Sequence, residues 1–144
     1  MATDRHAEVT WNGSLMEGSG RIDSTTSGVL ASQPLTWKAR AEDSPGATTS
    51  PEDLIAAAHA GCFAMALSHG LAQGGNPPDE LKTSAAVTFV PGTGITEISL
   101  IVRGRVPGLD EEQFRQAAET AKANCPVSQA LAGVPSITLE ASLA

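Results

Sequence analysis

The fold of this 144-residue chain is decided by residues 50–68, SPEDLIAAAHAGCFAMALS. Ser50 can cap a helix, Pro51 suits the first helical position, and an acidic residue three positions after Ser50 completes a capping box. The glycines and prolines of residues 74–78 then end the helix. Apolar residues occur on every face of the helix predicted for residues 54–71, so the sequence predicts a long, buried central helix.

Shorter segments on both sides of this helix predict strands and two further helices. Their order, β-β-β-α-β-β-α-α-β, lacks the alternating rhythm of a parallel sheet and favours an α+β fold with mainly antiparallel sheets. At this length we expect one domain, residues 1–144. The predicted strands are residues 7–11, 21–24, 35–41, 83–90, 95–106 and 136–141, and the other predicted helices are residues 110–124 and 126–132.

The third predicted strand, residues 35–41, carries two cations. In a strand, successive side chains point to opposite faces, so Lys38 and Arg40 would share the face opposite Trp37. Residues 42–49 are small and polar and include proline and glycine, which predicts a loop that leads into the central helix.

Charge and composition exclude several partners. The net charge of -7 argues against a nucleic-acid surface, which would carry a basic excess. Residues 1–9 lack the apolar core of a secretory signal, so we expect a cytoplasmic location. His59, Gly61 and His69 interrupt the apolar helix, which we expect to fall well below membrane-span hydropathy. No metal, flavin or nucleotide motif is present, so no cofactor is expected.

Two cysteines, Cys62 and Cys125, are the only sulfur nucleophiles in the chain. They stand 63 positions apart, which excludes a CxxC redox motif or a paired-cysteine zinc knuckle. A structural disulfide is disfavoured in a reducing cytosol, so the cysteines are either passive core residues or transient redox partners.

The local sequence predicts different effects on the pKa values of the two thiols. Pro126 forces Cys125 away from helical geometry and places its sulfur near the free amides of the next turn, which lowers a thiol pKa. The alternative is a small apolar residue at a helix junction. Cys62 lies in mid-helix, where burial raises a thiol pKa, so it needs a nearby cation. His59 or Arg40 could supply that charge, although His59 also fits a core histidine.

These residues resemble the OsmC/Ohr family of thiol-dependent organic hydroperoxide reductases, and the OsmC branch in particular. The resemblance rests on residues 50–68 and on NCPVSQAL at residues 124–131. It extends to WNG at residues 11–13, GVL at residues 28–30 and QP at residues 33–34, and therefore spans almost the whole chain. It implies a homodimeric α+β fold and a peroxidase that acts on organic hydroperoxides.

The resemblance also implies a role for each site residue. Cys62 would be the peroxidatic cysteine, Cys125 the resolving cysteine, Arg40 the active-site arginine and Glu52 its carboxylate partner. A dithiol such as dihydrolipoamide would reduce the resulting disulfide.

Helix geometry gives this site a further property. Glu52 and Cys62 are ten residues apart, or about 15 Å along one straight helix, so Glu52 cannot reach its own Cys62. We therefore predict an intertwined homodimer whose site takes residues from both chains.

The composition of the site suggests its substrate class. Phe63, Met65, Leu67 and Trp37 predict an apolar pocket for alkyl or lipid hydroperoxides. Two other classes of protein stay open: a redox sensor that uses the same disulfide as a switch without turnover, and a structural dimer with two core cysteines.

Overall fold

The computed structural model describes residues 1–42 and 46–144, which form two compact units, Met1–Leu54 and Ile55–Ala144. Three of the eight residues predicted as a loop, 43–45, lie outside the described residues. Of the others, Thr49 forms an isolated bridge with Leu35. The expectation of a single domain over residues 1–144 stays a prediction.

The first unit contains an antiparallel sheet of three strands, β1 (Ala7–Asn12), β2 (Ser19–Thr25) and β3 (Pro34–Leu35). The strands pair in sequence order, as expected for strands joined by short turns. Among the described residues of this unit, Ile22 on β2 is the one apolar side chain that is buried. The predicted strands 7–11 and 21–24 therefore lie within β1 and β2.

The predicted strand 35–41 is wrong. Only Pro34–Leu35 is a strand, and Trp37–Ala41 forms a short helix, α1. The cause is local: Thr36 is extended and its hydroxyl accepts a hydrogen bond from the Ala39 amide at 3.1 Å, which begins a helix. In a helix, residues three apart share a face, so Trp37 and Arg40 lie on one side instead of opposite sides.

The long helix α2 (Pro51–Gln73) begins and ends where the sequence predicts. Ser50 accepts a hydrogen bond from the Asp53 amide at 3.1 Å, which caps the helix. At its other end, Gly75 has a φ of 88°, a conformation that glycine adopts without strain.

The second unit contains a sheet of three strands, β4 (Glu80–Val90), β5 (Gly94–Arg105) and β6 (Ser136–Leu143). β4 and β5 form the predicted antiparallel hairpin. β6 pairs with β5 in parallel, since the chain crosses between them through α3 (Glu111–Asn124) and α4 (Pro126–Ala130). The α+β class with mainly antiparallel sheets is confirmed, and one parallel connection is added to it.

The core of the second unit lies between α2, α3 and the sheet. The fully buried side chains of α2 in this core are Phe63 and Leu67, whereas Met65 on another face is exposed. Within a single chain, the prediction of a buried central helix is therefore correct only for the face of α2 that carries Phe63 and Leu67. Core residues from other elements are Leu100, Val102, Val106, Phe114, Ala118, Ala121 and Cys125.

The expectation about membrane hydropathy is wrong for α2. By length and composition, this helix is apolar enough to cross a bilayer, because its many alanines outweigh the interruptions at His59, Gly61 and His69. A helix packed in a protein core meets the same test, and Phe63 and Leu67 show that one face of α2 packs in that way.

Candidate active site

Cys125 stands at the junction of two helices, where it ends α3 and begins α4. Its backbone is extended, with φ -61° and ψ 120°, and Pro126 occupies the first position of α4. The Cys125 amide donates to the Ala121 carbonyl at 2.8 Å. The proline therefore places the cysteine as the sequence predicts, with its sulfur near the free amides at the start of α4.

The fold brings Cys62 of α2 and Cys125 together as free thiols that share a hydrogen bond. The Val127 amide also donates to the Cys62 sulfur. Cys62 is partly exposed, whereas Cys125 is fully buried. A disulfide between them would require the two sulfurs to approach to about 2.05 Å.

The two thiols have pKa values that move in opposite directions. Burial raises the pKa of the Cys62 thiol; the Val127 amide opposes this rise, and the hydrogen bond with Cys125 adds to it. Burial alone would also raise the pKa of Cys125. Hydrogen bonds from the Ser128 amide, the Cys62 thiol, the Ser128 hydroxyl and the Val127 amide outweigh it and lower the pKa of Cys125. Within this unit, Cys125 is the thiol that ionises first.

His59 is a core histidine in this structure. Its side chain is fully buried, and desolvation lowers its pKa below the ordinary value. Its Nε2 lies 2.6 Å from the Ser128 hydroxyl oxygen. Because the neutral imidazole is favoured, His59 does not supply the cation that Cys62 needs.

The lowered pKa of His59 predicts how stability changes with pH. The unfolded chain takes up a proton near pH 6.5, whereas the folded chain does so only at lower pH. Stability contributed by neutral His59 is therefore present above pH 6.5 and is lost as pH falls, by at most about 1.4 kcal/mol per pH unit. We expect the urea midpoint of the protein to fall more between pH 7.5 and 5.5 than that of His59→Gln. Equal decreases would contradict this prediction.

Arg40 and Glu52 form an ion pair in the first unit. The Arg40 Nε lies 3.0 Å from Oε1 of Glu52, whose side chain is only 9% exposed. The other carboxylate oxygen, Oε2, is buried and has no hydrogen-bond partner among the described residues. A guanidinium held by a largely buried carboxylate has a fixed orientation, which a surface ion pair lacks.

A cavity of about 340 Å³ lies beside this ion pair within the first unit. Of the described residues that line it, only Arg40 is charged. The others are mostly apolar: Trp11, Leu15, Leu35, Thr36, Trp37 and Pro51. The cavity joins an apolar wall to one cationic donor, and its volume is at the lower end of the range of about 300–1,000 Å³ for small-molecule sites.

The residues predicted to form an apolar pocket do not act together. Phe63 and Leu67 are fully buried in the core of the second unit, and Met65 is exposed on α2. Only Trp37 lines the cavity beside Arg40. The prediction failed because side chains on one buried helix alternate between core and surface faces, which sequence proximity does not show.

Ser128 is a site residue that the sequence analysis missed. It stands three positions after Cys125 at the start of α4, and its amide and hydroxyl are among the groups that lower the pKa of Cys125. The signal was present in the sequence, because the third residue after a helix cap is a frequent partner of that cap. Its contact with His59, 69 positions away, has no sequence signal.

The fold and these thiols define an α+β dithiol protein. No group of three or more metal-ligating side chains occurs among residues 1–42 and 46–144. The model of the OsmC-like protein family matches residues 43–140, and the chain belongs to this family.

Known relatives and structures agree with this membership. The chain is 42% identical to peroxiredoxin OsmC of Escherichia coli (strain K12) over 134 residues, which cover 91% of this chain and 92% of the relative. It is 34% identical over 100 residues to an organic hydroperoxide resistance protein of Xanthomonas axonopodis pv. citri, covering 65% and 67% of the two chains. The structure of the organic hydroperoxide resistance protein OhrB of Bacillus subtilis has a TM-score of 0.63 with 25% identity, covering 96% and 98%. The family therefore includes proteins of peroxide defence.

Proposed function

We propose that this protein is a thiol-dependent peroxidase that reduces organic hydroperoxides to alcohols in defence against oxidative or osmotic stress. The observation that carries the proposal is the hydrogen-bonded pair of free thiols, Cys62 and Cys125. The names of the relatives, a peroxiredoxin and an organic hydroperoxide resistance protein, support the same chemistry.

Access assigns the first step to Cys62. It is the more exposed sulfur of the pair, and a peroxide has no route to the fully buried Cys125 without movement of the fold. The Cys62 thiolate attacks the distal peroxide oxygen, the O–O bond breaks, and the alkoxide leaves and takes a proton. Cys62 is thereby oxidised to sulfenic acid, and the peroxide is reduced to an alcohol.

Ionisation of Cys62 cannot supply the whole rate. A thiol with an ordinary pKa near 8.5 is about 3% ionised at pH 7, so full ionisation contributes at most about 30-fold. Because burial raises the pKa of Cys62, a nearby cation has more to contribute than in an exposed thiol. A preorganised donor to the peroxide oxygens must supply the remainder.

We assign this role to Arg40, oriented by Glu52. The guanidinium stays charged and presents several donors in a fixed fork, so it can bind both Glu52 and the peroxide. We further propose that the pair acts on Cys62 of a partner subunit in a homodimer. One face of α2 is exposed and carries no polar side chain from Ala57 and Ala58 through Gly61 to Met65, which supports a second chain on that face.

The cavity beside Arg40 supports an organic substrate. Trp11, Leu15 and Trp37 offer apolar surface to an alkyl or aromatic group, while Arg40 offers donors to its peroxide end. Hydrogen peroxide would gain nothing from the apolar wall. The preferred substrates are therefore alkyl or lipid hydroperoxides.

The cycle closes through Cys125. Its thiol condenses with the Cys62 sulfenic acid, which forms a disulfide and releases water. A dithiol such as dihydrolipoamide then reduces the disulfide and is itself oxidised to a cyclic disulfide. We place this cycle in the cytoplasm, with no nucleic acid or membrane as partner.

The proposal is tested by following the loss of cumene hydroperoxide with dihydrolipoamide in excess. We expect sustained consumption, with many equivalents of peroxide lost per protein. Consumption of one equivalent followed by arrest, despite excess dithiol, would indicate a redox switch instead of an enzyme. Absence of consumption would leave only a structural role for the thiols.

A further inference from the structure

His59, Ser128 and Cys125 form a buried chain of hydrogen bonds behind the thiol pair. His59 Nε2 lies 2.6 Å from the Ser128 hydroxyl oxygen, and the Ser128 hydroxyl bonds the Cys125 sulfur. All three side chains are buried. The peroxidase cycle above uses neither His59 nor Ser128, so their arrangement has no role assigned yet.

The Nδ1 atom of His59 determines which atoms act as donors in these hydrogen bonds. Its Nδ1 is buried and has no hydrogen-bond partner among the described residues. A proton on Nδ1 would leave a buried N–H donor unsatisfied, which is unfavourable. The proton therefore belongs on Nε2, which donates to the Ser128 oxygen and leaves the Ser128 hydroxyl hydrogen to donate to Cys125.

A sulfur that accepts such a hydrogen bond is stabilised as a thiolate. In thiol–disulfide exchange, the sulfur that leaves as the more stable thiolate leaves faster. The Ser128 hydroxyl adds to the effect of the Val127 and Ser128 amides, which also lower the pKa of Cys125. Among the described residues, the Val127 amide is the one donor that lowers the pKa of Cys62, and the Cys62 thiol itself donates to Cys125.

We propose that the reductant attacks the Cys62 sulfur of the oxidised protein and that Cys125 leaves, stabilised by Ser128, which His59 orients as a positioning residue. This inference rests on the proposed function, since it concerns the reduction of the same disulfide. Access supports it independently, because Cys62 is the partly exposed sulfur and Cys125 the buried one.

The electrons and protons balance through two exchanges. One thiolate of the dithiol bonds to the Cys62 sulfur as the Cys62–Cys125 bond breaks, and Cys125 departs as a thiolate. The second thiolate of the reductant then attacks its own sulfur in the mixed disulfide and releases Cys62. The dithiol loses two electrons and two protons, and the protein disulfide gains them.

Neutral groups dominate the surroundings of Cys125. The groups that act on it are Cys62 from α2 and the amides and hydroxyl of Val127 and Ser128 from α4, with neutral His59 behind Ser128. Among the described residues, no charged side chain acts on the Cys125 thiol. Removal of the Ser128 hydroxyl should therefore change this thiol measurably.

The sulfur that the reductant attacks can be identified from the adducts on the cysteine peptides. The protein is oxidised with diamide, given a short pulse of 2-mercaptoethanol, quenched with excess N-ethylmaleimide and digested with trypsin. The cysteines fall on separate peptides, residues 41–82 and 123–144. We expect mercaptoethanol on Cys62 and N-ethylmaleimide on Cys125, at least about tenfold over the reverse pattern. Mercaptoethanol mainly on Cys125 would overturn the proposal.

Variants of Ser128 separate its role from simple access. In Ser128→Ala, we expect the tenfold preference to shrink by about threefold, and in Ser128→Thr, which keeps the hydroxyl, to persist. In a Cys62→Ser background, the pH midpoint for alkylation of Cys125 should rise by about one unit with Ser128→Ala. An unchanged midpoint would contradict the role of Ser128.

His59 variants test the orientation. His59→Gln keeps a neutral N–H donor and should preserve the alkylation midpoint, whereas His59→Leu should shift it toward that of Ser128→Ala. A shift in His59→Gln as large as in His59→Leu would show that His59 acts as a base instead.

The experiment also separates this inference from the proposed function. If diamide forms no Cys62–Cys125 disulfide, the peroxidase cycle itself fails. If the disulfide forms and the adduct lies on Cys125, only the order of attack is wrong. If a variant fails to fold, the result with the unaltered protein still decides which sulfur is attacked.

Discussion

Cys62→Ser is expected to lower the turnover of cumene hydroperoxide with dihydrolipoamide to the uncatalysed rate. In the proposed cycle the sulfur of Cys62 accepts the peroxide oxygen, and a serine hydroxyl neither ionises near pH 7 nor forms a sulfenic acid. The measurement is the loss of peroxide over time at equal concentrations of variant and unaltered protein.

Cys125→Ser is the matched control, because it removes the other thiol of the same pair. Without dithiol, it should still consume one equivalent of peroxide and then hold Cys62 as sulfenic acid, which a sulfenic acid probe would label. Turnover by Cys62→Ser with none by Cys125→Ser would reverse the roles. The lowered pKa of Cys125 makes that outcome a real test of whether access or ionisation selects the reacting thiol.

Arg40→Lys is expected to reduce kcat/KM for cumene hydroperoxide by about 100- to 1,000-fold, the usual effect of losing one preorganised donor at a reacting oxygen. Lysine keeps the charge but presents a single ammonium, which cannot bind Glu52 and a peroxide as a planar fork does. The buried carboxylate of Glu52 would also lose part of the hydrogen bonding that the guanidinium provides.

Arg21→Lys provides the control for this change. Arg21 also pairs with a carboxylate in the first unit, with 2.9 Å to Asp23, but its side chain is 64% exposed. It should leave kcat/KM within about twofold, since an exposed pair contributes little. Near-normal activity of Arg40→Lys would refute the role of Arg40, and an equal loss in both variants would indicate a general effect on the fold.

Helix ends were predictable because capping is a local interaction. Ser50 bonds the amide of Asp53, and Asp110 and Gln113 form a complete capping box at the start of α3. Pro126 fixed the conformation of Cys125 in the same way. In each case the residues that decide the structure lie within four positions of one another.

Features that depend on distant contacts were harder to predict. The parallel pairing of β6 with β5 follows from how α3 and α4 cross the sheet, which no short segment records. Trp37–Ala41 shows a different limit, because its five residues alternate apolar and charged side chains in a manner that fits a strand. The hydroxyl of Thr36 decides for a helix there.

The residues of the candidate site also divide into those that the sequence predicts and those that only the fold reveals. Cys62, Cys125 and Arg40 were candidates from the sequence itself, and the family resemblance added Glu52 and the role of each residue. The structure adds the thiol pair and the Arg40–Glu52 ion pair as contacts. The apolar cavity could not be predicted, because it depends on Trp37 and Arg40 sharing one helix face. Ser128 needed the fold, since His59 reaches it from another helix.

The neutral surroundings of Cys125 have a consequence for how the protein responds to a change in electrolyte content. Mobile ions largely screen exposed charges that are more than about 10 Å apart at 0.1 M, but they have little effect on buried hydrogen bonds from amides and a hydroxyl. The donors to Cys125 are all of this second kind. The reactivity of the Cys125 sulfur should therefore vary little with ionic strength, whereas a site whose pKa is set by surface lysines would respond to it.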